Sequence, residues 1–365
     1  MERRVLFVGL SGAGKTHVYI QSLVHLETQY SNDIIRIAQT AGDVKSGGRI
    51  YTVKDLMGLL RNGERMPQTD PPDITEWPYE LWAEIRIKTG RPGLSTGQKS
   101  VELSLTDLSG EVYGYILEKA PKASAGKLSL KEFKKKIVDY INQRRVGSDI
   151  NVSNNVEDNI HRLLDVDVVV HVINTERLID LGTQERTHLI SSHEAFVKLI
   201  RSFTEKKKPL EQVIVFTHLD RLKVRNYICE NLNEKVDLEV DGNYRGLARK
   251  LVNYFAKELK GVGIPTKGFV SFAVEDPDSG RLNKCTDEKS GTTIPQYPRR
   301  EYHALLRKVL GHNISNLKPF RYECPKLSLE VSCSPKAPEP KPSRPLSEDL
   351  IELTRNNKQQ KPTVE

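Results

Sequence analysis

The sequence predicts an α/β fold: a mostly parallel central sheet with helices on both faces and one antiparallel edge strand. Three observations carry that prediction. A glycine-rich turn, Gly9-Leu10-Ser11-Gly12-Ala13-Gly14-Lys15-Thr16, joins the apolar run Val5–Val8 to a helix-forming run. Two continuous apolar runs, Asp167–Ile173 and Gln212–Phe216, have the length and β-branched content of strands buried on both faces. Segments with helical spacing alternate with these strands, as βα units require.

The first element is a strand over 3–8, followed by a helix over 15–29 whose buried face carries Tyr19, Leu23, Leu26 and Tyr30. The turn between them fits G-x-x-x-x-G-K-[ST]. Its glycines let the backbone N–H groups face an anion, and the helix adds its positive dipole end. In that geometry Gly9, Ser11, Gly12, Ala13, Gly14, Lys15, Thr16 and His17 surround phosphate. Lys15 reaches the outer phosphates, and the Thr16 hydroxyl ligates Mg²⁺. The expected ligand is a nucleoside triphosphate.

Ile34, Ile35 and Ile37 suggest a short extended piece, and a polar, glycine-bearing segment follows through Gly48. A second helix is expected over 53–60, ending near Asn62-Gly63. Residues 63–78, with three prolines, read as an exposed loop. Two alternating runs, 79–88 and 100–106, then form an antiparallel hairpin. The second run ends in Asp107-Leu108-Ser109-Gly110-Glu111. Downstream of a phosphate loop, a strand-end aspartate can hold the metal through water, and Gly110 can bring its N–H to the terminal phosphate.

An amphipathic helix with Leu130, Phe133, Ile137 and Ile141 inside and Lys131, Lys134, Lys135 and Lys136 outside lies in the long 112–165 segment, and another helix is expected over 156–164. His171 reads as a core histidine. Further helices are expected over 184–204, 243–260 and 299–311, and a last strand with its loop over 268–274. The main domain then covers 1–311, with insertions at about 38–62, 112–160 and 275–298. A short extension spans 312–333. Composition predicts a disordered, proline-rich tail over 334–365.

In order, these pieces resemble the P-loop GTPases of the Ras-like and translation-factor-related class. The resemblance rests on Gly9–Thr16, on Asp107–Gly110, and on Thr217-His218-Leu219-Asp220 at a strand end, which is similar to the [NT]-[KQ]-x-D base-reading motif. Ser271-Phe272-Ala273 is a loose match to the loop that backs the base. The shapes of Gly63–Thr69 and Asp107–Glu111 are similar to a divergent bacterial, double-GTPase-like branch. The family implies a GTP/GDP and Mg²⁺ site in which Asp220 accepts from guanine; adenine presents the opposite donor pattern. It implies a switch threonine on the metal, Thr69 or else Thr75. It also implies a protein effector or activator.

Two residues depart from the family. His218 stands where lysine is usual, and Glu111 where glutamine orients water, so slow turnover is expected, with Glu111 a candidate base beside Lys15 and Gly110. Two other readings share these residues: a GTP-binding module that does not hydrolyse, and a P-loop ATPase or phosphotransferase.

The net charge is +8 with a pI near 9.1. Charge alone leaves membrane-surface association open, and no nucleic-acid motif is present. No transmembrane run is found, and the N-terminal strand feeds the glycine turn and so reads as fold, not leader. Four scattered cysteines, Cys229, Cys285, Cys324 and Cys333, predict neither a zinc site nor a disulfide framework and fit a reducing cytoplasm.

Overall fold

In a computed structural model of the chain, the described residues are 3–9, 12–30, 34–67, 79–89, 97–107, 115–116, 118–119, 122, 126–144, 166–180, 182, 184, 186, 197, 210–238, 242–255, 268–274, 279, 281–286 and 293–311. The elements in chain order begin with β1 (Arg3–Val8), α1 (Lys15–Gln29), β2 (Ile35–Ala41), β3 (Asp43–Ser46), β4 (Arg49–Thr52) and α2 (Val53–Arg61). Then come β5 (Tyr79–Thr89), β6 (Gly97–Asp107), α3 (Leu130–Arg144), β7 (Val168–Asn174), α4 (Thr175–Asp180) and β8 (Glu211–Thr217). The last are α5 (Leu222–Leu232), α6 (Arg245–Tyr254), β9 (Gly268–Val270), β10 (Lys284–Thr286), β11 (Thr293–Pro295) and α7 (Arg299–Leu310).

Seven strands form one sheet in the order β2-β5-β6-β1-β7-β8-β9. β6, β1, β7, β8 and β9 are parallel. β5 is antiparallel to both β6 and β2. The expected mixed sheet is therefore present, but its antiparallel strand is second from the edge. β2 covers it, pairing Ile35 with Ile87 and Ile37 with Ile85. The isoleucines of 34–37 signalled an extended piece; their partners, far along the chain, made it the edge strand.

Side chains alternate across the central strands, as a period of two demands. Val5, Phe7, Val168, Val170, Val213 and Val215 join a core with α1, α2 and α7. Ile214, Phe216 and Val270 join a second core with α5 and α6. His171 is buried within β7, as expected of a core histidine.

Several local structures were not legible beforehand. Residues 43–52 are a small antiparallel hairpin turning at Gly47-Gly48, both at positive φ. Thr52 then caps α2 in a reciprocal capping box with Asp55. α2 ends at Asn62-Gly63 as predicted, with Gly63 at φ 70°. The Gly63 carbonyl accepts from Leu282 N–H at 2.8 Å, which fastens the start of the 63–78 loop to the segment leading into β10. α4 and α5, short helices that begin just after β7 and β8, were not expected from the sequence.

The last strand with its loop, expected over 268–274, is present, with the strand over Gly268–Val270. Within the expected 184–204 helix, residues 184, 186 and 197 are helical. The expected 156–164 helix lies outside the described residues. Cys229 and Cys285 are both disulfide-bonded, and no described cysteine is free. The expectation of free thiols is corrected, and its support for a reducing compartment falls with it. Spacing along a chain does not report which thiols meet in space.

α7 closes the first core. Its Tyr302 hydroxyl meets Ser271 Oγ at 2.7 Å. Its Glu301 carboxylate, only 1 % exposed, accepts the backbone N–H groups of Val270 and Tyr244. Burial nevertheless pushes Glu301 up to about 7. The folded state therefore holds this proton over a range where the unfolded chain has released it. The contribution is full below about 4.5 and is lost as pH rises to about 7, on the order of 3 kcal/mol in total. Glu301→Gln should remove that slope, so its stability relative to wild type should rise across this window. Urea unfolding at a series of pH values would show it, and parallel curves would refute it.

Candidate functional site

The carboxyl ends of β6, β1, β7 and β8 lie side by side, and the glycine-rich turn emerges from the middle of that row. At such an edge, loops and helix starts converge on a ligand. Gly9 has no room for a side chain: a Cβ there would stand 2.4 Å from the Val172 carbonyl of β7. Gly12 and Gly14 have φ of 73° and 80°, the left-handed region that glycine enters without strain. A Cβ at Gly12 would meet nothing within 4 Å, so this bend of the turn faces open space.

α1 starts at Lys15 with Gly14 as its N-cap, no side-chain cap and no acidic residue in its first turn. Its leading N–H groups and dipole end are therefore not neutralised by the helix's own side chains. Lys15 is 6 % exposed, and its Cγ lies 3.2 Å from where a Gly9 Cβ would stand. Thr16 follows in the same turn, partly exposed. These residues fit an anionic group: two left-handed glycines, one facing open space, an uncapped helix start and a lysine share one place.

Two side chains from neighbouring strand ends hold the turn. Thr217 Oγ1 lies 2.8 Å from Ala13 O and 3.1 Å from Ile173 O. Asn174 Nδ2 donates to Gly12 O at 3.2 Å, while its Oδ1 accepts from Arg177 N–H at the start of α4. Sequence reasoning missed Asn174; its signal was an amide at the end of a strand apolar but for His171, at the same sheet edge as Thr217.

His218 has φ 62°, rare for a residue with a side chain. Its Nδ1 is 3.0 Å from Thr217 Oγ1. The single hydroxyl proton of Thr217 serves the carbonyls, so Nδ1–H is the donor in this pair, and the neutral imidazole keeps Nε2 as an acceptor. Burial chiefly lowers the His218 pKa, with Arg221 adding to that and Asp220 and Glu176 opposing it. His17 is half-buried with its Nε2 enclosed; burial first and His218 second bring its pKa down to about 4. Both rings are thus neutral at neutral pH. Asp220 is half-buried, with Oδ2 4.0 Å from Arg221 Nε.

The structure therefore brings together Gly9, Gly12, Ala13, Gly14, Lys15, Thr16 and His17 with Thr217 and His218, and sets Asp220 just beyond. Asp107 ends β6, the strand beside β1, at the same edge. Ser271 donates its N–H to Phe216 O at 2.8 Å, and its hydroxyl is committed to Tyr302. Ala273 packs partly buried against the first core. Ser11, Thr69, Thr75, Gly110 and Glu111 lie outside the described residues. No protein-family model matches the chain, and no curated protein matches its sequence.

Thr217→Val keeps the shape and removes the brace, leaving two carbonyls short of a donor. Stability should fall by about 1–3 kcal/mol. Denaturant unfolding reads this directly; an unchanged midpoint would mean that the hydroxyl does not hold the turn.

Proposed function

We propose that this protein binds GTP with Mg²⁺ and hydrolyses it slowly to GDP and phosphate, as a switch read by a protein partner. The observation that carries the reading is the braced turn: left-handed glycines at a helix start, open to space at Gly12, tied through Ala13 to the Thr217-His218-Leu219-Asp220 strand end. A pattern arising by chance would not need its carbonyls held by the second pattern. The strand order gives further support, since β6 and β8 deliver Asp107 and Asp220 to the edge from which β1 delivers the turn.

In this reading the backbone N–H groups of residues 12–16 and the Lys15 ammonium take the phosphates. The Thr16 hydroxyl, Asp107 through water, and Thr69 or Thr75 would hold the metal, which neutralises charge on the phosphate oxygens. Asp220 accepts from the guanine edge. The neutral His218 ring, beside Gly14 in place of an ammonium, offers a face to the base but no charge to the phosphates. Glu111, by its place in sequence after Asp107–Gly110, would take the part of the glutamine that orients water in the family. Its carboxylate can take a proton from that water, and its own charge opposes the phosphate, so turnover is slow without a partner's cation.

The test is nucleotide identity and turnover. Protein denatured after purification should release guanine nucleotide, and phosphate should form from GTP and not from ATP. Lys15→Ala should weaken GTP binding by about 10–100-fold. Asp220→Asn should lower guanine affinity by about 10²-fold or more while raising that for xanthine nucleotides. Equal affinity for ATP and GTP in wild type would overturn the reading.

A further inference from the structure

Residues 115–144 carry seven lysines and one arginine against three acids, a net +5 in a chain whose total is +8. The acids are engaged locally. Glu118 pairs with Lys119. Glu132 accepts from the N–H and hydroxyl of Ser129, closing a capping box on α3. Asp139 lies near Tyr115 and, although one turn beyond Lys135, makes no ion pair with it. Lys122, Lys127, Lys131 and Lys135 are exposed and form no ion pair with any described residue.

Lys131 and Lys135 form a ridge along one face of α3, and Lys122 and Lys127 lie in the chain just before it. Lys127 N–H donates to Lys122 O at 3.0 Å, which folds the chain leading into α3 so that both residues flank its start. Phe133 and Ile137 bury the inner face of α3. With 3.6 residues per turn, Lys131 and Lys135 fall on the opposite, outer face.

The arrangement works against the free protein's stability. Lys131 lies in the first turn of α3, where the helix dipole disfavours a cation. Lys131 and Lys135 are like charges one turn apart. Glu132 also stands in the first turn, but its carboxylate is engaged by Ser129, and neither Lys131 nor Lys135 forms an ion pair with a described residue. A conflict of this kind marks a place where something other than stability has set the sequence.

We propose that this ridge binds the surface of an anionic phospholipid bilayer. The cations are lysines, which act as point charges on flexible stems and suit a diffuse anionic plane better than the planar forks of arginine that grip single phosphates or base edges. The neighbouring aromatic rings, Tyr115 and Tyr140, stack on each other at 4.0 Å with Lys119 above one of them, so neither is presented to a nucleic-acid base. Phe133 and Ile137 of α3 are buried and so not offered to a bilayer, and the proposed contact is electrostatic. No described helix is long and apolar enough to cross a membrane.

The experiment is co-sedimentation of the full chain with vesicles of phosphatidylcholine, with or without about 30 mol% phosphatidylserine, where each lysine near the surface strengthens partitioning about fivefold. Protein should pellet with the anionic vesicles at about 0.1 M salt and be released at about 0.5 M. Lys131→Gln combined with Lys135→Gln should weaken that binding about 25-fold. The thermal midpoint of this double variant should be unchanged or higher, because the helix start loses an unfavourable charge. Weaker binding by a protein that is no less stable distinguishes a docking ridge from a structural one. Equal partitioning onto neutral vesicles, full binding by the double variant, or tighter binding to a DNA duplex than to the anionic vesicles at the same salt would each overturn the proposal.

Discussion

The approach of β1 to β7 at Gly9 is the constraint on which the rest of the site depends. The chain leaves β1 so close to the Val172 carbonyl that no Cβ fits, and it must then turn within a few residues to start α1. That turn is possible because Gly12 and Gly14 occupy left-handed backbone conformations. Once made, it has two carbonyls facing the neighbouring strand ends. Asn174 and Thr217 receive the carbonyls of Gly12 and Ala13.

α1 is shared between this site and the core, so the two are mechanically joined. Its buried residues Tyr19, Leu23 and Leu26 pack on the sheet, and the Tyr19 hydroxyl donates to Leu103 O in β6 at 3.2 Å. At its far end, His25 Nδ1 meets the Tyr297 hydroxyl at 2.8 Å, and Tyr30 bonds His303 of α7. α7 in turn holds Ser271 through Tyr302, and so fixes the loop that follows β9. The segment before β10 carries the tie further: Leu282 N–H reaches Gly63 O, and Asn283 N–H reaches Val274 O, both at 2.8 Å. Consecutive residues thus bind the start of the 63–78 loop to the loop beyond β9.

Electrostatics divides the molecule. Around the turn, burial keeps His17 and His218 neutral, so Lys15 and the backbone dipoles supply the positive field there. Far along the chain, α3 and the loop before it gather lysines, of which Lys127, Lys131 and Lys135 are exposed and form no ion pair with any described residue. A cation beside the turn acts within an enclosed setting, whereas those on the ridge face solvent and are screened by salt.

Sequence alone determined the features that depend on local chemistry. The period-two and continuous apolar runs specified β1, β5, β6, β7 and β8, because burial on one or both faces must be written residue by residue. Gly9–Thr16 specified its own turn, since left-handed φ and a close approach demand glycine at those places. Thr217–Asp220 and Asp107 were found because they end strands. Tertiary structure decided what depends on distant partners: that β2 pairs with β5 and moves the antiparallel strand inward, that Asn174 braces Gly12 across 162 residues of chain, and that Ser271 gives its hydroxyl to Tyr302. The bonded state of Cys229 and Cys285 belongs with these, because thiol spacing in a chain carries no distance in space. Propensity and periodicity are local; pairing, bracing and cross-linking are set only when the chain has closed on itself.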